Sequence, residues 1–494
     1  MPSLITPSAR RFWADRSIMK AVYCVAVDLG ASNGRVIVGT WRQDRLELDE
    51  VRRFPNQFRV LGGYHYWEVA TLWAEVCAGL REAKRRFPAL ASVGVDSWGV
   101  DHVLVDSGGR LVFPIHAYRD ERTRPGMRRL AARGLGRMYA ATGIPNIFYN
   151  TSLQLEETVC SFPAIRRIAA RCLFLPDYFN YLLSGRMENE LSIASTSQLL
   201  GVEGLGFSRV ALRRFGLPAT WFSRPIKAST RLGWVRSPPG LQAVRVVAVP
   251  GHDTACAFDS LPALPAGGDL LISSGTWSLV GFESETPLLG AAALAAKVSN
   301  ERLGNGRFRP LTNVAGLWLL QQVVLDFGRK PSSAAAWAAL IRTAERAPRT
   351  SLLLDVDDPA FSNPLSMRAA IDAQLRLRRG RPPVGLAGYL RLICDSLGQG
   401  HAAVLRRFER LSGHTFRRIL ITGGGAKNRL LCQATADSAG LPVFACSQEG
   451  AATGNLVSQL IALRVIKNLS VFRELLTRQG AFTVYYPRRS AAPE

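Results

Sequence analysis

The sequence predicts an α/β protein built from two related domains with a cleft between them, and three observations carry that expectation. Its 494 residues exceed what one hydrophobic core usually organises. Strand-like and helix-like stretches alternate along the chain, the mark of a layered α/β architecture. A strand, a turn of small residues and a second strand occur near the N-terminus and recur about 245 residues later, which points to a duplicated unit.

Residues 1–18, MPSLITPSARRFWADRSI, have no apolar core of the signal-peptide type and read as a disordered extension ahead of the fold. Residues 19–258 then form the first expected domain. Tyr23, Val25 and Val27 alternate as a strand, and Val36 to Val38 form its return partner. Between them lies LGASNG. Gly30 and Gly34 permit positive φ there, while Ala31 and Ser32 keep the concave side clear, so backbone N–H groups can converge on an anion. An ordinary hairpin with a loose turn fits this stretch equally well. Leu72, Val76, Leu80 and Ala83 recur at helical spacing within YHYWEVATLWAEVCAGLREAKRRF, and ASVGVDSWGVDHVLVD reads as two strands around a turn. The Pro- and Gly-punctuated stretch from Gly108 to Pro239 reads as an insertion into this first core.

Residues 259–494 form the second expected domain. From Gly267 to Pro287 the opening design returns, with Ser273 to Thr276 as the turn. A later strand runs into Gly423-Gly424-Gly425 and a helix from about Asn428 to Ala439. There is no G-x-x-x-x-G-K-[ST], which argues against a P-loop, and the triple glycine lacks dinucleotide spacing.

Composition narrows the function classes. With 47% hydrophobic and 20% charged residues the chain reads as soluble and globular, and no apolar run approaches the roughly 18 residues of a membrane span. Eight scattered cysteines without a C-x-x-C pair point to reduced thiols in the cytoplasm rather than to a zinc site or disulfide framework. A net charge of +24 raises nucleic acid as a rival partner. The 55 Arg and 7 Lys are spread along the whole chain, however, so no specific nucleic-acid or membrane partner is expected.

Seven segments carry a family resemblance. DLGASNGR, GVDSWGVD, YRDERT, LPDYFNYLLSG, GHDTACA, SSGTWSLVGFE and GGGAKN stand in order from residue 28 to residue 428. Together they resemble the FGGY family of carbohydrate kinases, over a stretch from about Met19 to about Ile466. The resemblance implies two ribonuclease H-like domains of the actin and hexokinase type, closing on ATP and a sugar. Within the family it is closest to members that phosphorylate L-rhamnulose on carbon one. Members acting on L-fuculose, D-xylulose or ribulose are the near alternative, and a silent nucleotide-binding regulatory protein the distant one. Whether the chain is a monomer or a dimer stays open.

The same resemblance implies roles for single residues. Asp253 matches the catalytic acid, which takes the sugar hydroxyl proton; the bland alternative is a cap on the following helix. Asp28 is implied at magnesium, with Ala31, Ser32, Asn33, Gly34 and Arg35 at phosphate. Gly99, His252, Asp253, Thr254 and Asn313 are implied at the sugar, and Trp98 is either a sugar wall or plain core. Asp101, Asn150, Gln154 and Asp177 are possible further polar supports. Thr276, Gln321 and Gly424 are implied at the nucleotide. Asp259 carries no chemical role, and Gly251 stands where a serine is expected.

Overall fold

The computed structural model describes residues 21–264, 267–446, 449–480 and 482–488. The N-terminal extension expected over residues 1–18 lies outside them. Two mixed sheets dominate the fold. The first holds β1 (Val22–Leu29), β2 (Asn33–Arg42), β3 (Arg45–Pro55), β4 (Leu90–Ser97), β5 (Thr230–Trp234) and β6 (Arg245–Ala248), in the order β3-β2-β1-β4-β6-β5. The second holds β7 (Asp269–Ser274), β8 (Trp277–Gly281), β9 (Ser299–Arg302), β10 (Phe308–Ala315), β11 (Arg418–Thr422), β12 (Val443–Cys446) and β13 (Phe482–Tyr485), in the order β9-β10-β8-β7-β11-β12-β13.

Leaving aside edge strand β9, the two sheets have one wiring. Each starts with a three-stranded antiparallel meander, adds two parallel strands and ends on an antiparallel edge. The duplication expected from the two hairpins therefore extends to the whole sheet.

The first sheet is buried on both faces, which explains its near-continuous apolar strands. Val25, Val27, Val36 and Val38 point to one side and pack with Leu72, Val76 and Leu80 of α1 (Val69–Arg86). Cys24, Ala26, Ile37 and Trp41 point to the other, against helices that arrive from the far end of the chain. Each large apolar side chain so buried contributes about 1.5–3 kcal/mol. The segment expected as one helix splits: Tyr64–Trp67 pairs with Phe58–Leu61 as a small hairpin, and the helix begins at Val69. The two strands expected around Trp98 fall in different sheets, because His102–Val105 pairs with Arg171–Phe174. The insertion also divides. Helix α2 (Leu175–Ser184) returns to the first core through Leu175, Phe179 and Leu183, whereas Leu130, Leu153, Phe215 and Trp221 form a core of their own.

Helix α3 (Asp253–Asp259) follows β6 and packs against the first residues of the second sheet as well. In the second half come α4 (Trp318–Asp326), α5 (Gly385–Ser412), α6 (Arg429–Ala439), α7 (Gly450–Ala462) and α8 (Leu469–Gln479). Helix α7 crosses back to cover β1 and lies against α3. A Cβ at residue 454 would stand 1.9 Å from the Cys256 carbonyl oxygen, so glycine is required for that crossing. Among the described residues no helix is long and apolar enough to cross a membrane.

Candidate active site

The site gathers at the carboxyl ends of the central strands of both sheets. On the first sheet, Asp28 at the end of β1 sits opposite Arg35 of β2 in register. Arg35 donates one guanidinium nitrogen to the Asp28 carboxylate and the other to Glu449 Oε2 at 2.7 Å. Ser32 and Asn33 are exposed at the tip, Ala31 is half-buried and Gly34 buried. The expectation of positive φ at Gly30 and Gly34 is corrected, because neither residue adopts it. Both are glycine for lack of room. A Cβ at residue 34 would fall 2.2 Å from the Phe54 ring, and one at residue 30 would fall 2.9 Å from the Asn33 carbonyl oxygen. The Gly30 N–H also closes the turn on that same oxygen at 2.9 Å, so it is already occupied.

The matching turn on the second sheet is held by backbone. Gly275 N–H donates to the Trp277 carbonyl at 2.8 Å, and the amides of Leu317 and Trp318 at the start of α4 donate to the carbonyls of Gly275 and Thr276. Thr276 is left exposed. One turn along α4, Gln321 lines a groove of about 340 Å³ with Val324, Leu325, Arg329, Pro331 and Trp337. Leu317 also faces the glycine segment, for its Cδ1 lies 3.0 Å from where a Gly424 Cβ would stand. Thr276, Gln321 and Gly424 therefore share one neighbourhood. In the triple glycine it is Gly423 that has φ of 82°, and Gly425 that presses on Ser274, leaving Gly424 exposed. Asn428 caps α6 by accepting the Leu431 N–H at 3.1 Å. Glu449, 3.6 Å from Lys427 as well as paired with Arg35, links the first turn to this segment.

Asp253 lies close enough to Asp28 of the first turn to feel its charge. It is the first residue of α3, the capping position being His252, so the helix-cap alternative does not describe it. Its side chain is 27% exposed. Burial chiefly, with the nearby Asp28 charge adding and His252 opposing, pushes its carboxyl up to about 6. Asp96 completes a trio of mutually repelling carboxylates that sequence reasoning passed over. It neighbours Asp28 across the β1–β4 pair, is fully buried and accepts from Asn455 at 2.6 Å, while its Oδ1 has no partner among the described residues. Burial, Asp28 and Asp253 raise its carboxyl well above the ordinary range.

Around Asp253 the polar side chains converge. Ser97 and His252 form an isolated parallel bridge, which sets Gly99 so that a Cβ there would lie 3.4 Å from His252 Nε2. Asn313, exposed on β10, hydrogen-bonds the Tyr149 hydroxyl, and Tyr149 stacks edge-on against Tyr118 at 6.0 Å. Thr254 accepts from Arg309 at 2.9 Å, and Glu301 accepts from His252 Nδ1 at 3.0 Å. Arg309 and Glu301 are a cross-strand pair of β9 and β10. They were not expected. Their only sequence signal is the alternation that puts Arg309 and Asn313 on one face of β10.

Other expectations resolve as supports. Trp98 is core, packed on Trp67 with ring centroids 4.5 Å apart, and its indole donates to Asp101 at 2.8 Å. Asp101 also takes donors from Trp67, Gln154 and the Tyr118 amide, and burial pushes it up to about 6. Asn150 and Asp177 are buried and serve backbone groups of Pro145 and Glu190. Gly251 has no room for the expected serine, since a Cβ would fall 2.9 Å from Ile193. Asp259 is not an idle acid. It is buried 3.9 Å from Arg473, and burial pushes it up to about 7.

Models of the FGGY family of carbohydrate kinases match the chain twice, the N-terminal domain over residues 23–258 and the C-terminal domain over residues 270–463. The chain is 38% identical to a rhamnulokinase of Klebsiella pneumoniae subsp. pneumoniae over 474 residues, 95% of each protein. It is 38% identical to a rhamnulokinase of an Enterobacter species over 470 residues, 94% of each. Among solved structures, a gluconate kinase from Lactobacillus acidophilus superposes with a TM-score of 0.77 at 12% identity, covering 95% of this chain and 94% of that one. That likeness speaks for the fold alone. The matched halves, the doubled sheet and the full-length relatives agree, and the chain belongs to the FGGY family of carbohydrate kinases.

Proposed function

We propose that this kinase transfers the γ-phosphoryl group of ATP to the 1-hydroxyl of L-rhamnulose, in the cytoplasm, as a step of rhamnose breakdown. The observation that carries the reading is the place of Asp253, with His252 and Thr254 beside it and its carboxyl raised to about 6 by burial chiefly, the nearby Asp28 charge adding. A carboxylate so placed accepts the hydroxyl proton while the sugar oxygen bonds to phosphorus and the bond to the departing ADP breaks. Residues 19–258 supply the catalytic Asp253, most sugar contacts and the phosphate turn, and residues 259–494 supply the nucleoside side together with Asn313 at the sugar. Gly99, His252, Thr254 and Asn313 hold the sugar. Thr276, Gln321 and Gly424 hold the nucleotide, and residues 31–35 take the phosphates.

Magnesium fits the donor set. Asp28 and the Oδ1 of Asp96, which has no partner among the described residues, offer hard oxygen ligands. That suits an ion usually held by one or two carboxylates, water and phosphate. When bound, magnesium neutralises phosphate charge and keeps the triphosphate in line. Asp28 would hold it, and Arg35 would turn from its carboxylate partners toward phosphate.

The test is a coupled ADP-release assay over L-rhamnulose, L-fuculose, D-xylulose and ribulose, with and without magnesium. L-Rhamnulose should be the best acceptor, giving the 1-phosphate. Equal or better turnover of another ketose removes the L-rhamnulose assignment, because one methyl group shifts preference by only about 1–3 kcal/mol.

A further inference from the structure

We propose that the ion pair Glu301–Arg309 is the positioning device of the sugar pocket: it fixes the His252 ring with its hydrogen on Nδ1 and aims the Thr254 hydroxyl. The inference deepens the proposed function and rests on its reading of His252 and Thr254 as sugar contacts.

Six contacts define the arrangement. Glu301 Oε2 lies 3.0 Å from His252 Nδ1. Arg309 Nη2 donates to the same Oε2 and lies 3.0 Å from the same Nδ1. Arg309 Nη1 donates to Thr254 Oγ1 at 2.9 Å. Thr254 Oγ1 is 3.2 and 3.3 Å from the two ring nitrogens, so it sits against the ring. A guanidinium only donates and an ionised carboxylate only accepts. Burial opposes ionisation of Glu301, but Arg309 and His252 outweigh it and hold its carboxyl down to about 2. Two demands meet at that nitrogen: the Glu301 oxygen at 3.0 Å calls for a hydrogen, while Arg309 Nη2, which only donates, lies equally near; because Nη2 already directs a hydrogen to Oε2, the arrangement places the ring hydrogen on Nδ1. In the neutral ring Nε2 is then left as an acceptor. It is the nitrogen beside Gly99, and it lies 3.4 Å from Asp253 Oδ1.

Thr254 is set by the same pair. Arg309 occupies one lone pair of its oxygen, so the hydroxyl proton turns to Nε2, 3.2 Å away, until a ligand atom competes for it. The pocket thus shows a sugar one acceptor nitrogen and one donor hydroxyl in fixed directions. The pair comes from the second sheet, β9 and β10 in register, while His252 and Thr254 follow the first. Arg309 is wholly buried, its guanidinium over the Phe258 ring at 5.0 Å, so the brace is rigid.

The experiment uses the full chain with ¹⁵N-labelled histidine and four variants, E301Q, R309K, the double variant E301Q/R309M and H252N for assignment. Two readouts are taken. Long-range ¹H–¹⁵N correlation, without sugar, should show His252 with a protonated Nδ1 and a pyridine-type Nε2 in the wild type. The double variant, which leaves no lone buried charge and so keeps its fold, should show a tautomer mixture. In kinetics KM for L-rhamnulose should rise about tenfold in the double variant, with kcat and KM for ATP changed less than about threefold. R309K should lie between. A wild-type ring protonated on Nε2 alone overturns the proposal, as does a folded double variant with unchanged tautomer and unchanged KM. If the protein does not phosphorylate L-rhamnulose, the proposed function fails, while the nitrogen spectra, taken without sugar, still decide the inference.

Discussion

The two parts of the proposed site are built from different material. On the proposed sugar side, buried charged and amide side chains lock one another, with Glu301, Arg309, His252 and Thr254 in one cluster and Asp101 taking four donors in another. On the proposed nucleotide side Thr276, Gly423 and Gly424 are exposed, in turns held by backbone hydrogen bonds. The difference teaches what each ligand demands. A small sugar is recognised by the direction of a few hydroxyls, so its partners must not rotate, and burial among fixed neighbours prevents that. Phosphates and a nucleoside present charge and a broad face, which backbone amides and side-chain-free surface meet without a buried network.

Replacing Asp253 by Asn should break the sugar side most deeply. Size is kept and the proton acceptor lost, so kcat should fall by about 10² to 10⁴ while both ligands still bind. Glu47→Gln, at an exposed position on β3, serves as the control that leaves turnover unchanged. Asp259 cannot serve, because its carboxyl is part of the buried cluster with Arg473. A variant with more than about a tenth of wild-type kcat would refute the assignment of Asp253 as general base.

Acid should act next. Asp253 is raised to about 6 and works only when deprotonated, so kcat/KM should be flat above that pH and fall about tenfold per unit below it. The sign follows from the base losing its lone pair as pH drops. Asp101, also raised to about 6, titrates in the same window. Residual activity of Asp253→Asn separates the two. A flat residual profile assigns the limb to Asp253, and a surviving limb moves it to Asp101.

The smallest effect should come from the nucleotide side. A Cβ at Gly424 would meet only the tip of Leu317 at 3.0 Å, a flexible contact, so Gly424→Ala should leave the melting temperature unchanged. KM for ATP should rise by a few fold, about 1 kcal/mol, with KM for the ketose unaffected. Were the ketose KM to move instead, the division of the cleft into two kinds of surface would not hold.

The sequence alone determined what is written within short windows. The strand alternation at Val25 and Val27, the helical spacing of Leu72, Val76 and Leu80, and the two small-residue turns were legible because a period of two or of 3.6 needs only local residues. The motif residues around Asp253 singled it out as the expected base, by resemblance rather than by any period. Local rules misread the glycines, since Gly30 and Gly34 answer to Asn33 and Phe54 rather than to their own backbone preference. What only the tertiary structure decided is which distant side chains meet. Arg35 finds Glu449 across 414 positions, Asp96 finds Asn455 across 359, and His252 finds Glu301 and Arg309 only because β9 and β10 stand in register beside α3. The physical reason is burial. A charge or amide away from water is tolerated only with a partner, and here the partner is supplied by whichever strand or helix the sheets bring alongside.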